Sequence, residues 1–154
     1  MAFSAPSLKG RALRLLSQRE HSRAELERKL KKYEEEPGTL AQALDELAAK
    51  DFISEARVVQ SVLHQRAARM GAARVRQELL HKGIAPEAVA EAVAGLQESE
   101  SARALEVWRR RFTASPADAK EWARQSRFLL SRGFSGAIVA KILRGAVDAG
   151  HGAD

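Results

Sequence analysis

An all-α fold, three tandem three-helix repeats forming an elongated, curved helical array, is what this 154-residue sequence predicts. Three observations carry that prediction. Ala, Leu, Glu, Arg and Lys dominate while aromatic residues make up 5%, a composition that suits helices rather than pleated sheets. Apolar residues recur at helical spacing and nowhere alternate with period two. A base–glycine motif occurs twice, as Leu79-Leu80-His81-Lys82-Gly83-Ile84 and, 50 residues on, as Leu129-Leu130-Ser131-Arg132-Gly133-Phe134. At the same offset Arg74 matches Arg124, Val89 matches Val139 and Val93 matches Leu143, and a helical repeat of this period is the signature of an array.

Residues 1–7 lack the apolar pattern and are predicted to be a disordered tail. The first unit, 8–53, opens with a helix over 8–19 whose face carries Leu13 and Leu16. A second helix over 22–33 starts at Ser22, which with Glu25 reads as a capping box, each side chain satisfying a free amide of the helix start. Its Leu26 and Leu30 fall near the places of Val75 and Leu79 at an offset of 49. Where the later units have a base and glycine, this helix runs into a longer acidic connection, Tyr33-Glu34-Glu35-Glu36-Pro37-Gly38. Thr39 and Gln42 repeat the capping pattern and start a third helix over 39–50.

The second unit, 54–98, contains helices over 54–69, with Val59, Val62 and Leu63 on its apolar face, and over 71–82, with Val75 and Leu79. Gly83 fits the left-handed residue that ends a helix, and Pro86 fits the first position of the next, 86–97, with Val89, Val93 and Leu96. In the third unit, 99–146, helix 99–113 carries Leu105, Trp108 and Phe112. Pro116 is expected to open helix 116–132, Gly133 to close it, and 135–146 to form the last helix with Ile138 and Ile142. Residues 147–154 are predicted to be a second disordered tail. Each unit alone is too small to bury its apolar faces well, so stacking on a neighbour is expected to supply much of the stability.

The chemistry of enzymes is absent from the pattern. Without cysteine there is no disulfide framework, thiolate zinc site or cysteine nucleophile, and a reducing cytoplasm fits. His21, His64, His81 and His151 show no metal-ligand spacing, and no HExxH, Walker loop, GxGxxG or GxSxG occurs. The expectation is a protein that is not an enzyme and needs no cofactor. His21, just before a capped helix, is read as a structural hydrogen-bonding residue, and the helical spacing of Trp108 and Trp122 assigns them to the core rather than to base stacking. The start of the chain shows no basic region followed by an apolar run, and no stretch approaches the roughly 20 apolar residues that span a bilayer, so a cytoplasmic protein is expected.

Net charge is +6, which attracts polyanions, and its distribution follows the repeat. Residues 8–33 hold nine bases against three acids, 34–56 one against seven, 57–82 six against one, 83–106 one against five, and 107–132 seven against two. Bases therefore gather on the first two helices of each unit, and acids on or around the third helix of the first two. If the units stack in one sense, these bases form a stripe. Arg57, Arg66, Arg69, Arg74, Arg76 and Lys82 would lie at its centre, with Arg109, Arg110, Arg111, Arg124, Arg127 and Arg132 at one end. The plainer reading is of solvated helix faces with i,i+4 pairs such as Glu78 to Lys82. Periodicity favours the stripe, and arginine's planar fork suits carboxylate or phosphate.

The stretch Ala12-Leu13-Arg14-Leu15-Leu16-Ser17-Gln18-Arg19-Glu20-His21-Ser22-Arg23-Ala24-Glu25-Leu26-Glu27-Arg28-Lys29-Leu30 resembles the opening of the RecX family: a Leu-rich helix, Arg-x-His-Ser, then a Glu-Leu-x-x-Lys-Leu helix. Asp51-Phe52-Ile53-Ser54-Glu55-Ala56-Arg57 is similar to that family's link into its second unit, Gly71 through Ile84 to its Gly-x-x-x-Ile-Arg-Gln-Glu-Leu-x-x-Lys-Gly-Ile segment, and Arg127 through Ser135 to its closing motif. Val58-Val59 stands where the family has an aromatic residue, and Phe52 where it often has Tyr. The resemblance covers about residues 9–146 in the family's order. It implies a monomeric regulator that lodges in the groove of the RecA recombinase filament on single-stranded DNA, limiting filament growth, ATP hydrolysis and strand exchange, and that binds single- or double-stranded DNA weakly by itself. The alternative is a helical module that binds nucleic acid directly.

Overall fold

The computed structural model describes the backbone of residues 5–151 and the side chains of residues 5–145. Among the described residues the structure is all-helical: α1 (Leu8–Gln18), α2 (Arg23–Leu30), α3 (Thr39–Ala49), α4 (Glu55–Arg66), α5 (Ala72–His81), α6 (Pro86–Gln97), α7 (Glu100–Arg111), α8 (Ala119–Ser131) and α9 (Gly136–His151). Local chemistry sets most of the starts. Ser7, Ser54 and Asp118 each accept from the backbone amide three residues on, Ser22 and Glu25 form the predicted reciprocal box, and Pro86 occupies the first turn of α6.

Several boundaries or caps differ from the sequence reading, among them the end of α4, at Arg66 rather than 69, and of α7, at Arg111 rather than 113. Thr39 is not a cap: Gly38, at φ 91°, precedes α3, while the Thr39 hydroxyl donates back to the Glu36 carbonyl. Pro116 does not open α8, because Asp118 caps that helix two residues later, leaving Pro116 buried in the connection. The α-helical part of α2 stops at Leu30 and tightens into a 3-10 turn over Lys31–Tyr33. At the other end α9 continues to His151, past the predicted end at 146; residues 1–4 and 152–154 of the two predicted tails lie outside the described residues.

The apolar stripes close into three separate cores. Leu26, Leu30, Leu40, Leu44 and Leu47 form the first with Ala12; Val58, Val62, Val75, Leu79, Ile84 and Val89 make up most of the second; Val107, Leu129, Phe134, Val139 and Leu143 most of the third. All the substantial helix-to-helix packing falls inside a unit. The expectation that stacked neighbours would share apolar burial is therefore corrected: each unit buries its own leucines and valines, and the junctions are made of backbone and polar groups.

Those junctions repeat one design. Gly133, at φ 91°, ends α8 and sits against the start of α5, where a methyl group would overlap Arg74. Here the Gly71 amide donates to the Arg132 carbonyl at 2.7 Å, Ala73 to the Gly133 carbonyl at 3.3 Å, and Ala72 to the buried Glu100 carboxylate at 3.1 Å. Three orphan amides of one helix are thus satisfied by the next unit. Gly83, at φ 78°, ends α5 in the same way against the start of α2, where a methyl group would come within 2.6 Å of the Ala24 Cβ, and the Ser22 hydroxyl donates to the Lys82 carbonyl. The second helices α8, α5 and α2 are joined end to end. Arg103 completes the junction between units 2 and 3 by donating to the carbonyls of Ala67, Met70 and Leu96 at 2.8, 2.6 and 3.0 Å.

Candidate partner-binding face

The twelve bases singled out in the sequence fall into three groups. Two are struts between units 1 and 2. Lys82 is 16% exposed and pairs with the buried Glu25 at 3.3 Å, while Arg57 reaches Glu20 at 2.9 Å and Asp51 at 3.1 Å. Three more carry a carboxylate of their own: Arg66 with Glu78, Arg109 with Glu106, and Arg124 with Glu121. The suggested Glu78–Lys82 pair is absent, since each of these residues takes the other partner named here. The remaining seven, Arg69, Arg74, Arg76, Arg110, Arg111, Arg127 and Arg132, form no ion pair among the described residues.

Four of the seven converge. Arg69 follows α4, Arg110 and Arg111 end α7, and Arg132 ends α8; together they line one groove with Val107 and Phe128. Cations at helix C-termini are favoured by the partial negative charge of the free carbonyls. Two of them, Arg111 and Arg132, are held by aromatic rings. Phe128 meets Phe112 edge-on at 5.4 Å, Arg132 lies 5.0 Å over Phe128, Arg111 lies 5.7 Å from both rings, and Arg124 lies 5.2 Å over Phe112. A guanidinium stacked this way keeps its edge N–H groups free, and no carboxylate lines the groove to occupy them. The arrangement suits a phosphate or carboxylate anion, and the Gly71–Arg132 backbone bond fixes the spacing between units 2 and 3 on which it depends.

The other three stand apart from that groove. Arg74 and Arg76 are exposed on α5, Arg74 lining a separate groove with Arg66, Glu78 and His81, and Arg127 is exposed on α8. Trp108 and Trp122 pack against the third core as expected, with the Trp108 indole donating to the Gln125 amide oxygen at 2.8 Å. His21 is buried, its Nδ1 donating to the Arg19 carbonyl and its Nε2 accepting from Lys29.

One cationic groove escaped the residue-level reading. Arg11, Arg14, Arg28, Lys29 and Lys32 line a concavity in unit 1 together with Tyr33. Its signal was the excess of bases over 8–33, the largest in the chain. Among the described residues no group of His, Asp and Glu side chains could hold a metal ion, and no helix is long and apolar enough to cross a membrane.

Three family profiles match the chain in order: the first three-helix domain of RecX over residues 9–47, the second over 54–93 and the third over 98–143. Among similar proteins, the "Regulatory protein RecX" of Leptothrix cholodnii is 54% identical over 146 residues, 94% of this chain and 93% of that protein. That of Ralstonia nicotianae is 49% identical over 140 residues, 91% of this chain and 88% of that protein. The crystal structure of RecX from Lactobacillus salivarius has the same fold, with a TM-score of 0.75 at 19% identity, covering 90% of this chain and 94% of that one.

Proposed function

The chain belongs to the RecX family of regulatory proteins, and from that premise we propose that it binds the RecA recombinase filament on single-stranded DNA and restrains filament growth, ATP hydrolysis and strand exchange. In this reading it acts as a cytoplasmic monomer and binds bare DNA weakly. The arginine groove between units 2 and 3 carries the reading: four guanidinium groups converge without a carboxylate among them, which costs electrostatic self-repulsion unless an anion answers it. A nucleoprotein filament offers both candidate anions, DNA phosphate and protein carboxylate. Arg74, Arg76 and Arg127 extend the cationic surface.

The test is recombinase ATPase activity on single-stranded DNA with the purified protein titrated in. Arg110→Glu with Arg111→Glu, or Arg74→Glu with Arg76→Glu, is expected to raise the inhibitory concentration at least tenfold with helicity intact, because an attractive contact becomes a like-charge repulsion. Glu87→Lys with Glu91→Lys, on exposed positions of α6, is expected to change inhibition little. Dispensable arginine pairs together with an indispensable glutamate pair would put the functional face on the opposite side. Tight binding to bare DNA with no inhibition of assembled filaments would instead favour a direct nucleic-acid-binding module.

A further inference from the structure

The unit 1 groove shares no residue with the arginine groove, and it has a composition of its own. Arg11 and Arg14 project from α1, Arg28 and Lys29 from α2, and Lys32 from the 3-10 turn; the floor and rim add Leu15, Leu30 and Pro6. None of the five bases forms an ion pair among the described residues, although Lys9 on α1, Arg23 on α2 and Arg19 between them all do. The concavity is about 410 Å³, within the range of roughly 300–1,000 Å³ that holds small ligands. Arg11 stacks 3.7 Å over the Tyr33 ring, which is 40% exposed, and Lys29 is anchored from beneath by the buried His21 ring.

We propose that this groove is a second polyanion site, for single-stranded nucleic acid: the five bases take phosphates, and the apolar floor with the Gln18 amide at its edge takes a nucleobase. The choice over an acidic protein segment follows from the lining. Carboxylates would satisfy the cations but leave the part-exposed Leu15 and the exposed Pro6 uncovered, whereas a nucleotide has an anionic edge and an apolar face side by side. Tyr33 is a positioning residue that holds the Arg11 guanidinium through its ring. The inference rests on the reading that DNA is part of the partner, but not on any inhibition of the recombinase.

The experiment is fluorescence anisotropy of a labelled oligothymidylate with the full chain and no recombinase present, at several salt concentrations. Arg14→Glu with Arg28→Glu, both exposed, is expected to weaken binding at least tenfold and to flatten the slope of log affinity against log salt by about 1.4, the value for two fewer phosphates neutralised on a single strand. Arg14→Gln with Arg28→Gln gives the same ranking should the reversed pair fail to fold, as circular dichroism would show. Tyr33→Phe is expected to bind like the wild type and Tyr33→Ala several-fold more weakly. Unchanged affinity and slope in the Arg14 and Arg28 variants, with binding lost instead in Arg110→Glu with Arg111→Glu, overturns the inference and leaves the regulator reading standing. Polyglutamate that competes as well as unlabelled oligothymidylate overturns the choice of nucleic acid. Loss of oligonucleotide binding in the Arg14 and Arg28 variants of a chain that does not inhibit the recombinase supports the groove and counts against the regulator reading.

Discussion

Glu25 accepts from the Ser22 amide at 3.1 Å, from Arg19 at 2.6 Å and from Lys82 at 3.3 Å, so one carboxylate caps its own helix and clamps the second unit. Burial pushes its pKa up, but the Arg19 hydrogen bond, the Ser22 amide and the Lys82 charge outweigh that and hold it at about 2. A depressed carboxylate stabilises the fold above its unfolded value of 4.5, and that contribution is lost as pH falls through 4.5 toward 2. The window of His21 opens at a higher pH. Burial, chiefly, lowers its pKa below 6.5, so its neutral ring stabilises the fold above pH 6.5 and the contribution falls as pH drops below that value. Thermal midpoints recorded from pH 8 downward should thus decline in two stages, the first absent in His21→Gln and the second in Glu25→Gln.

Glycine positions separate two costs at single residues. Gly38, at φ 91°, has no atom near the place of a Cβ, so Gly38→Ala meets only the left-handed penalty of about 1–2 kcal/mol. Gly71 has an ordinary φ of −80°, but a methyl group there would overlap the Gly133 carbonyl, so Gly71→Ala meets only the steric cost of the junction. Gly133 combines both. Chemical denaturation is expected to rank Gly133→Ala as the most destabilising of the three, by about 2 kcal/mol or more, and equal losses in Gly38→Ala and Gly133→Ala with none in Gly71→Ala would show that the turn alone matters.

For helices, legibility in the sequence depends on where the cap comes from. The Ser22 and Glu25 box was readable because donor and acceptor lie three residues apart, and the left-handed turns at Gly83 and Gly133 because the base–glycine motif repeats. The start of α5 carries no such mark: its Ala72 amide is satisfied by Glu100, 28 residues away, and its neighbours by Arg132 and Gly133. Likewise Thr39 and Pro116 offered plausible local starts that Gly38 and Asp118 displaced, since local pattern does not specify which adjacent residue the tertiary path selects. Replacing Glu100 by Ala should cost about 1–3 kcal/mol, the range for losing a cap and stranding a buried amide, and should accelerate hydrogen exchange at Ala72 while leaving α2 protected.

At the scale of the whole molecule, the repeat and the helical class were legible because both are properties of spacing. How the units meet was not, because charge counts cannot tell a strut from a free cation. Lys82 and Arg57 looked like the other bases of unit 2, yet the structure uses both to tie unit 2 to Glu25 and Glu20. Since each core is self-contained, loosening these struts should free the units without melting them. Arg57→Ala with Lys82→Ala is expected to leave the far-ultraviolet circular dichroism near that of the wild type while small-angle scattering reports a broader distribution of dimensions. A collapse of helicity would mean that unit 1 and unit 2 do not fold independently of their junction.

The joining of second helices through a base and a glycine is in principle open-ended, because each junction offers the next unit the same socket. In this chain the series stops at α2. Beyond α2 the chain leaves through Glu34, Glu35, Glu36 and Pro37 instead of a base and glycine, so it has no plug to insert into another molecule's socket. The acidic connection that broke the repeat thus removes the base–glycine end that a self-complementary joint would need in order to run on from one molecule to the next.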